Sequence, residues 1–365
     1  MNSSKLRHLQ IYEKIRSLIQ NGSYRAGDML PTEAQLGVTF GASRPTIAKA
    51  LNRLGHEKLV RRRAGFGTQV LAPGRSAVTA GLLIPELHQT EIFEPICASI
   101  TETASIAGMR IIRPPELNLR QERRMLTESL ADQFIAAKVQ GVFFTPVEFI
   151  PDQEAFNVET INRLTSAGIR VVLIDRDVFP WPRQTPHDLI GIDNIEAGYV
   201  MGRHLLDNGC GKLAFVSAPD PAMTVQLRRL GCREALIQNG YRANSLTSVD
   251  FIPDQPEKTA QQLLTKKVDG VICANDATAA PLLRALLDLG VDIPGALQVV
   301  GFDDVKYASL LSVPLTSYRQ PCDDIGKVAT ETMINRIKHP EAPTRRVTLA
   351  GQLIPRNSSA GRLPS

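Results

Sequence analysis

The stretch SRPTIAKALNRL, residues 43–54, places cations and apolar groups side by side in a dozen positions. Ile47, Leu51 and Leu54 recur at the spacing that stacks side chains on one face of a helix, while Arg44, Lys49, Asn52 and Arg53 fall outside that face. One side is built to pack and the other to meet solvent or a charged partner. Ser43 stands where a cap belongs, its hydroxyl able to accept a free N–H of the first turn. Pro45 is tolerated there because that turn has no internal acceptor for the N–H it lacks. The helix is therefore expected to start near Ser43.

Outward from this stretch the chain reads helix, turn, helix, turn, helix, hairpin. Ile11, Ile15, Leu18 and Ile19 line one side of a first helix that should end at Asn21-Gly22. LPTEAQLGVTF, from Leu30, opens a second, with Thr32 and Gln35 in capping-box spacing, Leu36 and Phe40 on its inner face and Gly41 as its stop. Two helices joined by a short glycine-containing turn are a helix-turn-helix candidate. LVRRRAGFGTQVL, residues 59–71, has apolar ends, three consecutive arginines and a Gly-x-Gly turn. It reads as a two-stranded ribbon with Phe66 at its tip, which completes a winged helix-turn-helix.

Charge is divided unevenly along the 365 residues. The first 77 hold 13 Lys and Arg against 4 Asp and Glu, while the remaining 288 hold 29 against 33, within an overall net charge of +5. A cationic module ahead of a slightly acidic remainder points to a polyanion for the first part, because clustered cations gain free energy by displacing counterions from phosphates. The length suggests two or three domains, and 43% hydrophobic residues is ample to fill their cores. A polar start after Met1 and no long apolar run imply a soluble, cytoplasmic protein with no membrane partner. Cys97, Cys210, Cys232, Cys273 and Cys322 are scattered, without metal-ligand spacing. They are read as reduced apolar fillers, with no metal site and no cofactor expected.

The segment GDMLPTEAQLGVTFGASRPTIAKALNRLGHEKLVRRRAGFGTQV resembles the winged-helix DNA-binding domain of the gluconate-repressor (GntR) family over roughly residues 5 to 71. The likeness rests on Leu30-Pro31-Thr32-Glu33, on Ser43-Arg44 with Thr46, on Ala50-Leu51 with Leu54, and on Gly65-x-Gly67-Thr68. It implies that Arg44 and Thr46 contact DNA from the recognition helix and that the wing tip, Gly65 to Gly67, enters the adjacent minor groove. The expected DNA-binding set is Thr32, Glu33, Ser43, Arg44, Pro45, Thr46, Lys49, Arg53, Arg62, Gly65, Phe66 and Gly67. Ala34 and Ala48 stand where many members carry arginines, so Lys49, Asn52 and Arg53 become the candidates to compensate. Beside a helix-turn-helix, Arg61 to Arg63 are expected on phosphates.

LAPGRSA, residues 71–77, supplies a Pro/Gly/Ser linker, with 1–71 taken as the head, 72–77 as the linker, 78–356 as a second domain and 357–365 as a tail. Beyond it, apolar strands alternate with amphipathic helices: TAGLLIP, MRIIR, GVFFTPV, IRVVLID, LIGID, KLAFVSA, VDGVICA and LQVVGFD. This is an α/β pattern of parallel sheets covered on both faces, and eight or more such units suggest two lobes. Ligands of open α/β sheets sit beyond the carboxyl ends of the strands, where this chain places Asp175, Asp193-Asn194, Asn275-Asp276 and Asp303-Asp304. Carboxylates accepting from vicinal hydroxyls, with the fork of Arg228 donating, suit a sugar or other polyol. For Asn194, helix capping and ligand contact both remain open; Asp276 and Arg228 are read as contacts.

Collinear motifs from LIGIDNIEAGYVMGRHLLDNGCGKLAFV through QLRRLGCREAL and VDGVICANDATA to PLTSYRQPCDDIGKVATETMI resemble the effector domain of the lactose-repressor (LacI) family, itself similar to periplasmic sugar-binding proteins, over residues 78–356. That resemblance implies a two-lobed, periplasmic-binding-protein-like domain. Its ligand would be held by Arg228 and Asp276, with Asp175, Asn275 and Gln320 adding contacts and Phe93 stacking; Phe179, Trp181 and Tyr307 are further aromatic faces. The combination of a gluconate-repressor head with a lactose-repressor-type effector domain resembles the arabinose-repressor subclass. It implies a homodimeric, sugar-responsive regulator, with double-stranded operator DNA as partner and release by sugar as the expected response. An enzyme is the rival reading, yet neither Gly-x-Gly-x-x-Gly after a strand, nor a phosphate-binding Gly-x-x-x-x-Gly-Lys, nor Gly-x-Ser-x-Gly occurs. A transport binding protein would share the cleft but not the basic head.

Overall fold

The computed structural model describes residues 3–20, 23–24, 27–57, 59–63, 66–71, 78–85, 91–112 and 123–359. Asn21-Gly22, Gly65, the linker 72–77 and residues 360–365 lie outside the described residues. The chain divides into two compact units, Met1–Val78 with Ile106–Met109, and Thr79–Ser105 with Arg110–Ser365.

The first unit holds α1 (Ser3–Gln20), α2 (Glu33–Phe40), α3 (Arg44–His56), β1 (Val60–Arg63) and β2 (Gly67–Val70). Ile11, Ile15 and Ile19 of α1 and Leu36 of α2 close on Ile47, Leu51 and Leu54 of α3, the last three fully buried. Each such aliphatic side chain contributes about 1.5–3 kcal/mol when taken out of water. The capping box of α2 forms as its spacing demands, Thr32 Oγ1 accepting from the Gln35 amide and Gln35 Oε1 from the Thr32 amide. Gly41 ends α2 in the left-handed conformation, with φ of 56°. β1 and β2 pair antiparallel with Arg62 opposite Thr68, and residues 27–30 lie along β2, Leu30 donating to Thr68 and Val70 to Asp28. The wing is thereby held to the strand-like approach to α2.

The second unit runs β3 (Thr79–Leu83), α4 (Phe93–Ile106), β4 (Arg110–Ile112), α5 (Arg123–Ala136), β5 (Gly141–Phe144), α6 (Gln153–Ser166), β6 (Arg170–Ile174) and β7 (Asp188–Ile192). It continues with α7 (Asn194–Asp207), β8 (Leu213–Ser217), α8 (Met223–Gln238), β9 (Thr247–Asp250), α9 (Pro256–Lys266), β10 (Gly270–Cys273), α10 (Asp276–Asp288) and β11 (Gln298–Phe302). It ends with β12 (Thr316–Arg319), α11 (Cys322–Lys338), β13 (Arg346–Leu349) and β14 (Gln352–Ile354). Two six-stranded sheets result, ordered β13-β7-β6-β5-β3-β4 and β14-β12-β11-β10-β8-β9. All pairings are parallel except β12 with β14. All eight strands expected from the apolar runs are present, and burial on both faces is the reason the runs of all but the edge strand β4 are continuous.

The two sheets repeat one strand order, and in each the order reverses beside the first strand, between β3 and β5 in one lobe and between β8 and β10 in the other. Such reversals open a crevice at the carboxyl ends of the strands. The chain passes between lobes three times, after β7, after β12 and after β13. Helix α11 accordingly packs on β5, β6 and β7 of the first lobe although it follows β12 of the second.

Residues 357–359, expected to belong to a tail, are part of the second lobe. Ser358 Oγ donates to the Val299 carbonyl at 2.6 Å and accepts from the Thr316 amide at 2.8 Å, while Ser359 Oγ lies 2.8 Å from His204 Nε2. A hydroxyl bridging β11 and β12 gains nothing from sequence periodicity, which is why the pattern missed it. Replacing Ser358 with Ala leaves a buried amide and carbonyl without this partner. The expected loss is about 1–3 kcal/mol, read as a lower urea midpoint at unchanged slope; an unchanged midpoint contradicts the bridge.

Candidate DNA-binding face and ligand cleft

Helix α3 presents its charged residues on two flanks. Arg44 is exposed over 82% of its side chain, and its Nε lies 3.1 Å from Glu33 Oε2 of α2. The other oxygen of Glu33 takes Arg62 of the wing, whose Nη1 donates to Asn52 on α3. One carboxylate thus ties α2, the recognition helix and the wing together, and Arg44, Arg62, Asn52 and Glu33 form one cluster. Arg53, nine residues after Arg44 and half a turn around the helix, sits on the opposite flank, its guanidinium 4.6 Å from the ring centroid of Tyr12 on α1. Tyr12 also donates to Glu57, and burial together with that bond pushes its hydroxyl up to about 12. Lys49 and Pro45 are exposed, Pro45 in the first turn.

The expected Ser43 cap is corrected in one detail. Ser43 occupies the cap position, but its hydroxyl pairs with that of Thr46 at 2.8 Å in place of a backbone amide. The two hydroxyls expected at DNA are therefore already joined to each other beside Arg44. At the wing, Gly67 has φ of +91°, a conformation that favours glycine, and Phe66 beside it is 79% exposed.

In the second unit the strand ends converge. Arg228 of α8 is held on four sides: Nε donates to Asn194 Oδ1 at 3.0 Å and Nη1 to the Ala274 carbonyl at 2.8 Å. Its Nη2 lies 3.7 Å from Asp303 Oδ1, and the guanidinium stands 4.7 Å from the Phe302 ring centroid. α7 and α8 can approach this closely because a Cβ at Gly198 would meet the Arg228 backbone and one at Gly231 would meet that of Ile195. Asp303 also accepts from Gln320 Nε2 at 2.8 Å. Asp276, fully buried, accepts from Ser317 Oγ and, at 3.0 Å, from the Val305 amide. Burial first, and the charge of Asp303 second, push its carboxyl up to about 8.

Arg228, Asp276 and Gln320 are thus brought together around Asp303, a residue noted at a strand end but not placed in the expected site. Asn275 turns out to be the cap of α10, accepting from the Thr278 amide at 2.9 Å. The capping alternative for Asn194 falls to its neighbour: Asp193 caps α7, and Asn194 accepts from Arg228. In the first lobe, Asp175 has φ of +72° at the end of β6 and lies 3.4 Å from Arg176 Nη1; the Arg176 guanidinium is 5.8 Å from the ring of Phe93, which is fully buried. Burial, then Asp303, Asp323 and Asp175, push the Cys322 thiol up to about 12, so this residue of the crossing segment lies between the charges of both lobes. Tyr307 of the second lobe bonds Glu91 of the first, and burial with that neighbour raises its hydroxyl.

The segment after Arg176 builds a different space. Residues 177–180 line a cavity of about 350 Å³ with Glu148, Asn157 and Met223, and none of the six expected ligand residues borders it. Phe179 is covered by Arg183 at 4.3 Å, and Trp181 is exposed.

An acid whose folded value is raised binds its proton more tightly folded than unfolded, so stability is greatest at low pH and falls as pH climbs from about 4 to about 8. The decline cannot exceed about 1.4 kcal/mol per pH unit. Asp276→Asn mimics the protonated carboxyl, with an amide to Ser317 and an oxygen for Val305. It is expected to match the native protein at about pH 4 and to melt higher at pH 8. Parallel melting curves for the two proteins across this range would contradict a neutral Asp276.

Residues 7–70 match the bacterial regulatory proteins of the gntR family, and residues 203–359 match the periplasmic binding protein-like domain. Among full-length relatives, the ribose operon repressor of Halalkalibacterium halodurans is 28% identical over 77% of this chain and 79% of its own. The arabinose metabolism transcriptional repressor of Geobacillus stearothermophilus is 24% identical over 91% of each. A ribose-bound LacI family regulator from Enterococcus faecium superposes with a TM-score of 0.64 at 22% identity, covering 78% of this chain and all of that one. The transcription regulator GntR of Chromobacterium violaceum does so at 0.62 and 25%, over 77% of this chain and 99% of that one. Residues 7–70 thus carry the gntR-family match and residues 203–359 the periplasmic binding protein-like match, and the doubled α/β lobes have the fold of the solved LacI family regulators.

Proposed function

We propose that the chain is a sugar-responsive transcriptional repressor, acting in the cytoplasm as a dimer with one winged helix on each operator half-site. Residues 1–71 form the DNA-binding head, 72–77 the linker, and the unit from 78 onward the effector domain; no bond of the ligand is broken. The observation that carries this reading is the Glu33-centred cluster, which aims Arg44 of the recognition helix and Arg62 of the wing from one rigid support. The second domain supports a small polyol as effector, because Arg228 offers a buried fork beside carboxylates that accept from hydroxyls. The names of the relatives, a ribose operon repressor and an arabinose metabolism transcriptional repressor, point to the same chemistry.

A ligand acts on DNA binding only through its different affinity for two states of the protein. Moving the balance from about 1:99 to 99:1 takes roughly 5.5 kcal/mol. A thermal-shift screen of pentoses, hexoses and sugar acids finds the effector, since a ligand of the folded state raises its melting temperature. Arg44→Ala is expected to weaken operator binding at least about tenfold in a gel shift and to lower the salt dependence by the share of one phosphate contact, with sugar-induced stabilisation intact. Operator binding unaltered by this change overturns the assignment of the face.

A further inference from the structure

Helix α8 carries Arg228, yet its own sequence gives its start no cap. Ala222 at the cap position has no side-chain acceptor, and the first turn contains no acidic residue. The acceptor comes instead from the other lobe. Glu148, in the loop after β5, receives the Met223 amide on Oε1 at 2.8 Å, although 75 residues separate the two in sequence. Both residues stand where the strand order reverses, Glu148 beyond β5 in one sheet and Met223 beyond β8 in the other.

Glu148 is prepared for this in its own lobe. Its Oε2 lies 2.8 Å from Arg176 Nη1, and its carbonyl accepts from Arg123 Nη1 at 2.9 Å. Arg176 is itself fixed by donating Nε to the Pro146 carbonyl at 2.9 Å. The Glu148 side chain is only 7% exposed, and an arginine and a helix start face its two oxygens. We propose that Glu148 is a positioning residue of the ligand cleft, capping from one lobe the helix that carries Arg228 in the other, so that closing the lobes and fixing the arginine are one event. The proposal rests on the reading of Arg228 as a ligand residue only for its functional meaning; the contact itself is tested without any sugar.

Hydrogen exchange of the full-length, ligand-free protein at single-residue resolution reads the Met223 amide directly. Glu148→Ala is expected to speed its exchange about tenfold, whereas Glu148→Gln, which keeps an oxygen acceptor in place, returns most of the protection. The amides of residues 142–144 in β5 serve as internal controls and should exchange as in the native protein in both variants. Should Glu148→Ala disturb those controls, Glu148→Gln against the native protein decides the matter alone. Met223 exchange that is unchanged in Glu148→Ala, or as fast in the Gln variant as the Ala variant produces, overturns the proposal. Because no sugar enters the measurement, its failure is separate from any failure of an Arg228 variant to respond to sugar.

Discussion

A carboxylate removed from water must be met by donors or give up its charge, and much of the second unit is arranged around that demand at Asp276. Ser317 on β12 and the Val305 amide beyond β11 both reach it, which fixes the first turn of α10 against two neighbouring strands. Asp303 adds to the problem, since its charge raises Asp276 further, and it is answered by Gln320 and Arg228. Two carboxylates thereby register α8, α10, β11, β12 and the crossing segment. Apolar residues of equal volume would hold these elements at least as firmly. What they could not do is aim an arginine fork, whose four neighbours leave it one orientation.

The crossing segments make that orientation a property of both lobes. Gln320 and Cys322 stand on the passage from β12 to α11, so the strand that holds Asp276 leads directly into the helix that covers β5, β6 and β7. Asp175 at the end of β6 and Asp303 at the end of β11 both act on the Cys322 thiol, which marks how near the two sets of strand ends approach. Movement of one lobe against the other must therefore be taken up by short crossings whose side chains are themselves part of the polar cluster.

How much of this was legible depended on what each residue does. Strands buried on both faces announce themselves as apolar runs, and all eight were visible. β12, reading TSYR, was not, because Thr316, Ser317 and Tyr318 are buried as hydrogen-bonding partners, and a polar strand has the composition of a loop. β9, β13 and β14 are edge strands in which exposed polar residues interrupt the apolar ones, so no continuous apolar run announced them. Arg228 and Asp276 emerged from resemblance and Asp303 from its strand end, while Glu148 gave no signal, its partner being distant in sequence. The caps of α7 and α10 fall to Asp193 and Asn275, one residue before Asn194 and Asp276, and adjacent polar residues give the sequence no way to tell which of the two takes the cap geometry.

The head raises the opposite question, why a carboxylate should stand on the face proposed for DNA. Glu33 repels DNA, but it meets that cost by holding Arg44 and Arg62 on its two oxygens, with Asn52 supporting the second. A free arginine side chain carries about 2 kcal/mol of rotamer entropy, lost when it docks. An arginine already held loses less. Since Ala34 and Ala48 supply no cations of their own, fixing the few arginines present does more for register than adding unrestrained charge would. The same carboxylate ties the wing to α3, so that the two arginines of the proposed DNA-binding face are presented as one unit.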